Sequence, residues 1–208
     1  MAFTTFTSID ELAKKYGITF RRQAFVLPVA GVSGGAGYLE ELELTLSEVP
    51  FQRSESFTCE ALIYPTLREV WKAYRGSLTL LSHEPLAADA DLRGEIDYLV
   101  CRRSPLGPLI SDLPVLLIGE AKKDETTAGW NQALGGMIAA RKLDGDSART
   151  FFGLTTNGLT WAFGKLHGAT FTIDPKVYNV RDTADLFGAL HFVFAACRDQ
   201  LAAEGSPA

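Results

Sequence analysis

Glu120 and Lys122 stand two residues apart, just past a short apolar run from Val115 to Ile118 that is bounded by Pro114 and Gly119. The run is brief and rich in branched residues, so it reads as a buried strand, not a helix. Side chains on a strand repeat with a period of two, which points Glu120 and Lys122 to one face. A carboxylate and an amine make a poor ending for a core strand and a good beginning for a site. A second carboxylate, Asp97, lies upstream in the stretch from Arg93 to Arg103. Carboxylates are hard oxygen ligands that suit Mg2+, or Mn2+ in its place; Mg2+ takes few protein ligands and keeps several waters. An ammonium beside them can orient a water or stabilise developing negative charge. The ordinary alternative is an ion pair at a strand end.

The elements that must position these groups follow from local pattern. In Arg93 to Arg103, Ile96, Tyr98 and Val100 alternate with Glu95, Asp97 and Leu99, which reads as a strand over 95–102. Asp97 then sits inside a strand, where Asp is disfavoured. The connection to the 115–122 strand is rich in Ser, Pro and Gly and has no helical period, so the two strands are expected to be antiparallel neighbours. That pairing brings Asp97 to Glu120 and Lys122. Glu95 shares the nominal face of Asp97 and is a substitute or supporting carboxylate.

This arrangement, Asp97, a hairpin, then Glu120-Ala121-Lys122, resembles the signature of the PD-(D/E)xK nuclease superfamily. Three further features fit the resemblance. Glu60 lies in a segment ahead of the strands, Gln132 lies early in a helix behind them, and a hairpin from Phe151 to Phe163 comes after. The likeness covers roughly residues 54–173, with Ile96 where the family name has Pro. It implies an α/β fold with a restriction-endonuclease-like core, a central mixed β-sheet flanked by helices. It also implies phosphodiester hydrolysis of DNA, with Mg2+ held by Asp97, Glu120 and the Ala121 carbonyl, joined by Glu60. Lys122 would assist the attacking water, and Gln132 would contact nucleic acid or brace Lys122. The alternative is a nuclease fold without catalysis, kept to bind nucleic acid or a protein partner.

The rest of the chain reads as one domain over 1–208, a core at 54–203 preceded by an N-terminal extension at 1–50. Ser8 to Glu11 forms a capping box for a short helix that closes at Gly17. Residues 18–29 and 38–46 read as the two arms of a β-hairpin, the second because Leu42, Leu44 and Leu46 alternate with Glu41, Glu43 and Thr45. The glycine-dense stretch between them, Gly31 to Gly37, lacks the Gly-Lys-Ser/Thr ending of a phosphate loop. Ser54 is expected to open a helix to about Tyr74, kinked at Pro65. Ser77 to His83 is a strand and Pro85 to Leu92 a loop. Thr126 or Thr127 caps a helix to about Leu143, in which Gly135 and Gly136 each cost about 1 kcal/mol of helix propensity and so point to a close approach to the sheet. Strands at 150–155 and 159–164 flank the Asn157-Gly158 turn, and 169–173 is a last strand. Thr183 caps a final helix whose stripe, Leu186, Leu190, Val193, Phe194, Cys197 and Leu201, packs on the sheet or on a second subunit, which leaves a homodimer open.

Composition narrows the function classes. The 47% apolar content supports a real core, and the net charge of −5 argues against a surface that is basic throughout. A metal ion or a local basic cleft can still serve a nucleic acid; Arg102-Arg103, Lys122-Lys123 and Arg141-Lys142 are the candidate phosphate contacts. The three cysteines have no CxxC spacing, which suits a reduced, cytoplasmic protein. The three histidines have no zinc-ligand spacing. No signal peptide and no membrane span are expected.

Overall fold

The computed structural model describes residues 8–122 and 129–204. Its centre is a seven-stranded mixed sheet of order β1-β7-β6-β5-β4-β3-β2. The strands are β1 (Thr19–Arg22), β2 (Leu78–Ala87), β3 (Arg93–Arg103), β4 (Ser111–Ala121), β5 (Thr150–Thr156), β6 (Thr160–His167) and β7 (Thr170–Asn179). β1 pairs with β7 and β4 with β5 in parallel; the other neighbours are antiparallel, including the expected β3–β4 hairpin. Helices cover both faces, as a chain with apolar stripes on helices and strands requires.

One face is covered by α1 (Ile9–Tyr16) and α5 (Trp130–Asp144), whose Leu12, Leu134 and Met137 pack on Ile96, Leu99, Ile118 and Phe151. The Ser8 hydroxyl accepts from the Glu11 N–H at 3.2 Å, and Gly17 closes α1 at a left-handed φ of 64°. Gly135 and Gly136 are both buried, and a Cβ on Gly136 would stand 2.9 Å from Ile118 Cγ2 and 3.0 Å from Ile96 Cδ1. The expected close approach of this helix to the sheet is therefore present. The Thr126 and Thr127 caps lie outside the described residues.

The other face is covered by α2 (Ala36–Glu48), a helical run made of α3 (Glu55–Thr58), a π turn (Cys59–Ile63) and α4 (Tyr64–Trp71), and α6 (Thr183–Glu204). Ser54 caps the run as expected, its hydroxyl accepting from the Phe57 N–H at 3.1 Å. The interruption expected at Pro65 takes the form of the widened π turn just before it. A proline has no N–H and crowds the carbonyl four residues back, and a wider turn relieves both. α6 buries Leu186, Leu190, Val193, Phe194 and Cys197 within the chain's own core. Its opening cap is Asp182, not Thr183: the Asp182 carboxylate accepts from the Asp185 N–H at 3.3 Å.

The N-terminal β-hairpin is corrected by the structure. Only residues 19–22 form a strand, and 36–48 form α2. Tyr38, Leu39, Leu42, Thr45 and Leu46 turn inward while Leu44 is half exposed, which is a helical period. The Leu42, Leu44, Leu46 alternation fits a strand equally well as text, but Glu40, Glu41, Glu43 and Glu48 are good helix formers and tip the segment. The segment after β1 is held by Asp174, whose buried carboxylate accepts from the N–H groups of Phe25 at 2.8 Å and Val26 at 2.9 Å. The Asn157-Gly158 turn is present, with Gly158 at φ 86° and the Asn157 side chain accepting from Leu159 and Thr160.

Candidate active site

β3 changes its facing at Asp97. Ile96 packs beneath α5, whereas Tyr98 enters the opposite core and its hydroxyl donates to the Cys59 carbonyl at 3.2 Å. Ile96 and Tyr98 therefore do not share a face, contrary to the simple alternation. Backbone pairing between β3 and β4 ends at Tyr98 and Gly119. One step beyond, the Asp97 carboxylate takes over and accepts from the Ala121 N–H at 2.7 Å. Across the other edge, the β2–β3 register would set His83 opposite Asp97, between the pairs Ser82–Tyr98 and Glu84–Ile96. His83 is exposed there with φ 55°, a left-handed backbone uncommon for any residue that carries a side chain.

Glu120 and Lys122 share the face under the start of α5, as the two-residue period requires. A Cβ on Gly129 would meet Lys122 Cγ at 3.3 Å and Thr155 Cγ2 at 3.0 Å, and Thr155 is the β5 partner of Glu120. Glu120 is fully buried, and both of its carboxylate oxygens lack a hydrogen-bond partner among the described residues. Gln132 Oε1 and Thr155 Oγ1 are buried in the same condition. Lys122 Nζ lies 3.8 Å from Glu120 Oε2 and donates to the Ala121 carbonyl at 2.7 Å. Burial first, and then the Asp97 charge, push the Glu120 carboxyl well above its ordinary range, with Lys122 opposing. A buried carboxylate that accepts no hydrogen bond is expensive, and Lys122 at 3.8 Å offsets that cost only in part.

Among the described residues no group of three or more His, Cys, Asp or Glu converges. What does converge is the pair Asp97 and Glu120, with the Ala121 carbonyl already engaged by Lys122. Mg2+ is commonly held by one or two carboxylates and several waters, so the pair and the unpartnered Glu120 oxygens fit it.

Of the remaining candidates, Gln132 lies in the first turn of α5 with its oxygen unpartnered, and Glu60 is exposed on the π turn. Glu60 lies within charge range of Tyr98, and Glu55, at the start of the same helical run, within charge range of Glu120. Glu55 is one residue type in a Ser-Glu-Ser start, and only the placement of α3 reveals it. Glu95 is exposed and pairs with Pro85. The basic pairs are not gathered at the site. Arg102 and Arg103 end β3 five and six residues beyond Asp97, about 17–20 Å along the strand. Arg141 donates to the Gly168 carbonyl and Lys142 pairs with Asp89, both near the far end of α5. Of the five that are described, Lys122 alone is at the carboxylates; Lys123 lies outside the described residues. The glycine-dense loop is tied to α4, with the Gly35 N–H donating to Glu69 at 3.1 Å.

No protein-family model matches the chain, and no curated protein matches it. What relates this site to known chemistry is therefore its own geometry. Among the described residues no helix is long and apolar enough to cross a membrane.

Proposed function

We propose that the chain is a Mg2+-dependent nuclease with a restriction-endonuclease-like core, hydrolysing phosphodiester bonds of DNA. The observation that carries this reading is the buried Glu120, its two oxygens unpartnered, set beside Asp97 and Lys122 at the end of β4. Asp97 and Glu120 would hold the cation, which would lower the pKa of a bound water and neutralise the scissile phosphate. The Ala121 N–H fixes the Asp97 carboxylate beside Glu120. Lys122, anchored on the Ala121 carbonyl, carries a positive charge to the place where the phosphorane oxygens build up charge and orients the attacking water. Gln132 Oε1 and Thr155 Oγ1 are further buried polar atoms without a hydrogen-bond partner among the described residues. The three buried, free cysteines support a reducing, cytoplasmic setting.

A non-catalytic, nucleic-acid- or protein-binding module is the second reading, favoured by the lack of a third converging carboxylate among the described residues. Incubation with supercoiled plasmid in Mg2+, Mn2+ or EDTA, beside Glu120→Ala, separates the two. Metal-dependent nicking that Glu120→Ala lacks supports the nuclease. Absence of nicking by the wild type in either metal removes it and leaves the binding module.

A further inference from the structure

Two arginines that line one groove, Arg53 and Arg181, belong to none of the basic pairs in the sequence. A groove of about 390 Å3 opens between the short 3-10 turn Phe51–Arg53 and the corner where β6 begins and β7 ends. Arg53 forms one bank and Arg181 the other, with Gln52 beside them and Phe51 and Leu159 in the floor. Both arginine side chains are exposed, and neither makes an ion pair or side-chain hydrogen bond among the described residues. In a chain of net charge −5, two unpaired guanidinium groups facing one groove form a local positive exception.

The backbone under each arginine is fixed while its side chain is free. The Arg53 N–H donates to the Pro50 carbonyl at 3.2 Å, and the Phe51 carbonyl accepts from Thr58 Oγ1 at 3.0 Å. On the other bank, the Arg181 N–H donates to Asn179 Oδ1 at 2.9 Å and the Val180 N–H to the Leu159 carbonyl at 2.9 Å. The groove lies at the same end of the sheet as the site, on the face that α2 covers, whereas Glu120 and Lys122 lie on the face under α5. β4 and β5 finish there at Ala121 and Thr156, β6 starts there at Thr160, and β7 finishes there at Asn179. From β4 to β7, which leads into Arg181, is three strand spacings, about 14 Å. That distance matches about four nucleotide rises in one strand of a duplex. On the other bank, Glu55, two residues beyond Arg53, already lies within electrostatic reach of Glu120.

We propose that this groove binds the phosphate backbone of a DNA strand a few nucleotides from the Asp97–Glu120 site, with Arg53 and Arg181 as the phosphate ligands. The inference rests on the nuclease reading for its choice of DNA. Guanidinium groups bind phosphate oxygens bidentately, and the apolar floor suits the sugar edge. Phosphate contact gives affinity without sequence information, so the groove sets the strand's path and not its sequence.

The test is fluorescence anisotropy of a fluorescein-labelled single-stranded DNA with the full chain in EDTA, where metal-dependent cleavage is off. Wild type, Arg53→Ala/Arg181→Ala and, as a control at the far end of α5, Lys142→Ala are compared across a salt series, with thermal unfolding to confirm folding. The expected result is binding about tenfold weaker for the double variant alone. Its slope of log affinity against log salt should also be shallower by about 1.4, at about 0.7 per phosphate contact. Equal affinity of the folded double variant, or no binding by the wild type, overturns the inference. If the double variant misfolds, the single variants Arg53→Gln and Arg181→Gln replace it, and each should lower the slope by about 0.7. Plasmid nicking in Mg2+ is scored separately. Nicking with unchanged affinity sinks the groove and keeps the nuclease. Lost affinity without nicking by the wild type keeps the groove and sinks the nuclease.

Discussion

The Asp97 carboxylate accepts the Ala121 N–H at 2.7 Å, and so a side chain closes the β3–β4 ladder where the backbone stops doing so. The residue is thus both a ligand candidate and a structural pin, and the two roles separate by substitution. Asp97→Asn keeps an acceptor for the amide and loses the charge; it should abolish nicking with little change in Tm. Asp97→Ala leaves the Ala121 N–H unpaired and should in addition cost about 1–3 kcal/mol of stability. Thermal unfolding beside the plasmid assay reads both. Equal destabilisation by the two variants would refute the pin.

Glu120 makes the free protein pH-sensitive in a defined direction. Its carboxyl is raised above an ordinary value near 4.5. The fold therefore favours the protonated form. Stability is greatest below the unfolded-state pKa and is lost as pH rises through the folded-state value. In EDTA, Glu120→Gln should raise Tm at neutral pH and lose that advantage towards pH 4. Mg2+ should raise the Tm of the wild type and leave Glu120→Gln unmoved. Differential scanning calorimetry at two pH values, with and without Mg2+, checks all three statements.

Lys122 should act after the metal has bound. Lys122→Ala keeps both carboxylates, so the Mn2+-induced rise in Tm should persist while cleavage falls about 10²- to 10³-fold, the usual effect of removing one charge-stabilising donor. Loss of the Mn2+ effect together with activity would make Lys122 a structural partner of Glu120 instead.

Gly136 ties the helix to the site. Gly136→Ala gains about 1 kcal/mol of helix propensity but forces a methyl to 2.9 Å from Ile118 and 3.0 Å from Ile96, the residues that neighbour Gly119 and Asp97. Overpacking of this kind costs about 1–3 kcal/mol, so Tm should fall despite the better helix former. Chemical denaturation gives the sign directly.

His83 holds a left-handed backbone, at φ 55°, on the edge strand beside Asp97. Glycine carries no side-chain penalty there, whereas a β-branched residue carries a large one. His83→Gly should leave stability unchanged or slightly higher, and His83→Val should lower it by at least about 1 kcal/mol. Urea titrations of the two variants measure the difference.

What could be read from residues alone divides along physical lines. The β3–β4 hairpin, the shared face of Glu120 and Lys122, the Ser54 cap and the Asn157-Gly158 turn were legible because each is set by two or three neighbouring residues. The segment Tyr38 to Leu46 was not, because its leucines satisfy a period of two and a helical face at once, and only the partners across the core decide. The reversal of facing at Asp97 was invisible because Ile96 and Tyr98 alternate correctly as letters; it arises where β2 carries His83 and β4 runs out of pairing. Glu55 and the Arg53–Arg181 groove were missed for a third reason. They join residues far apart in the chain, and no spacing encodes the corner that brings 53 and 181 together.

The parallel pairing of β1 with β7 joins Thr19–Arg22 to Thr170–Ile173. On a ribosome adding about 5–20 residues per second, the first strand emerges on the order of ten seconds or more before its partner among the described residues exists. The sheet cannot close during that interval. The nascent chain must carry an open edge until the seventh strand arrives, so the sheet is completed only after all of its other strands have been made.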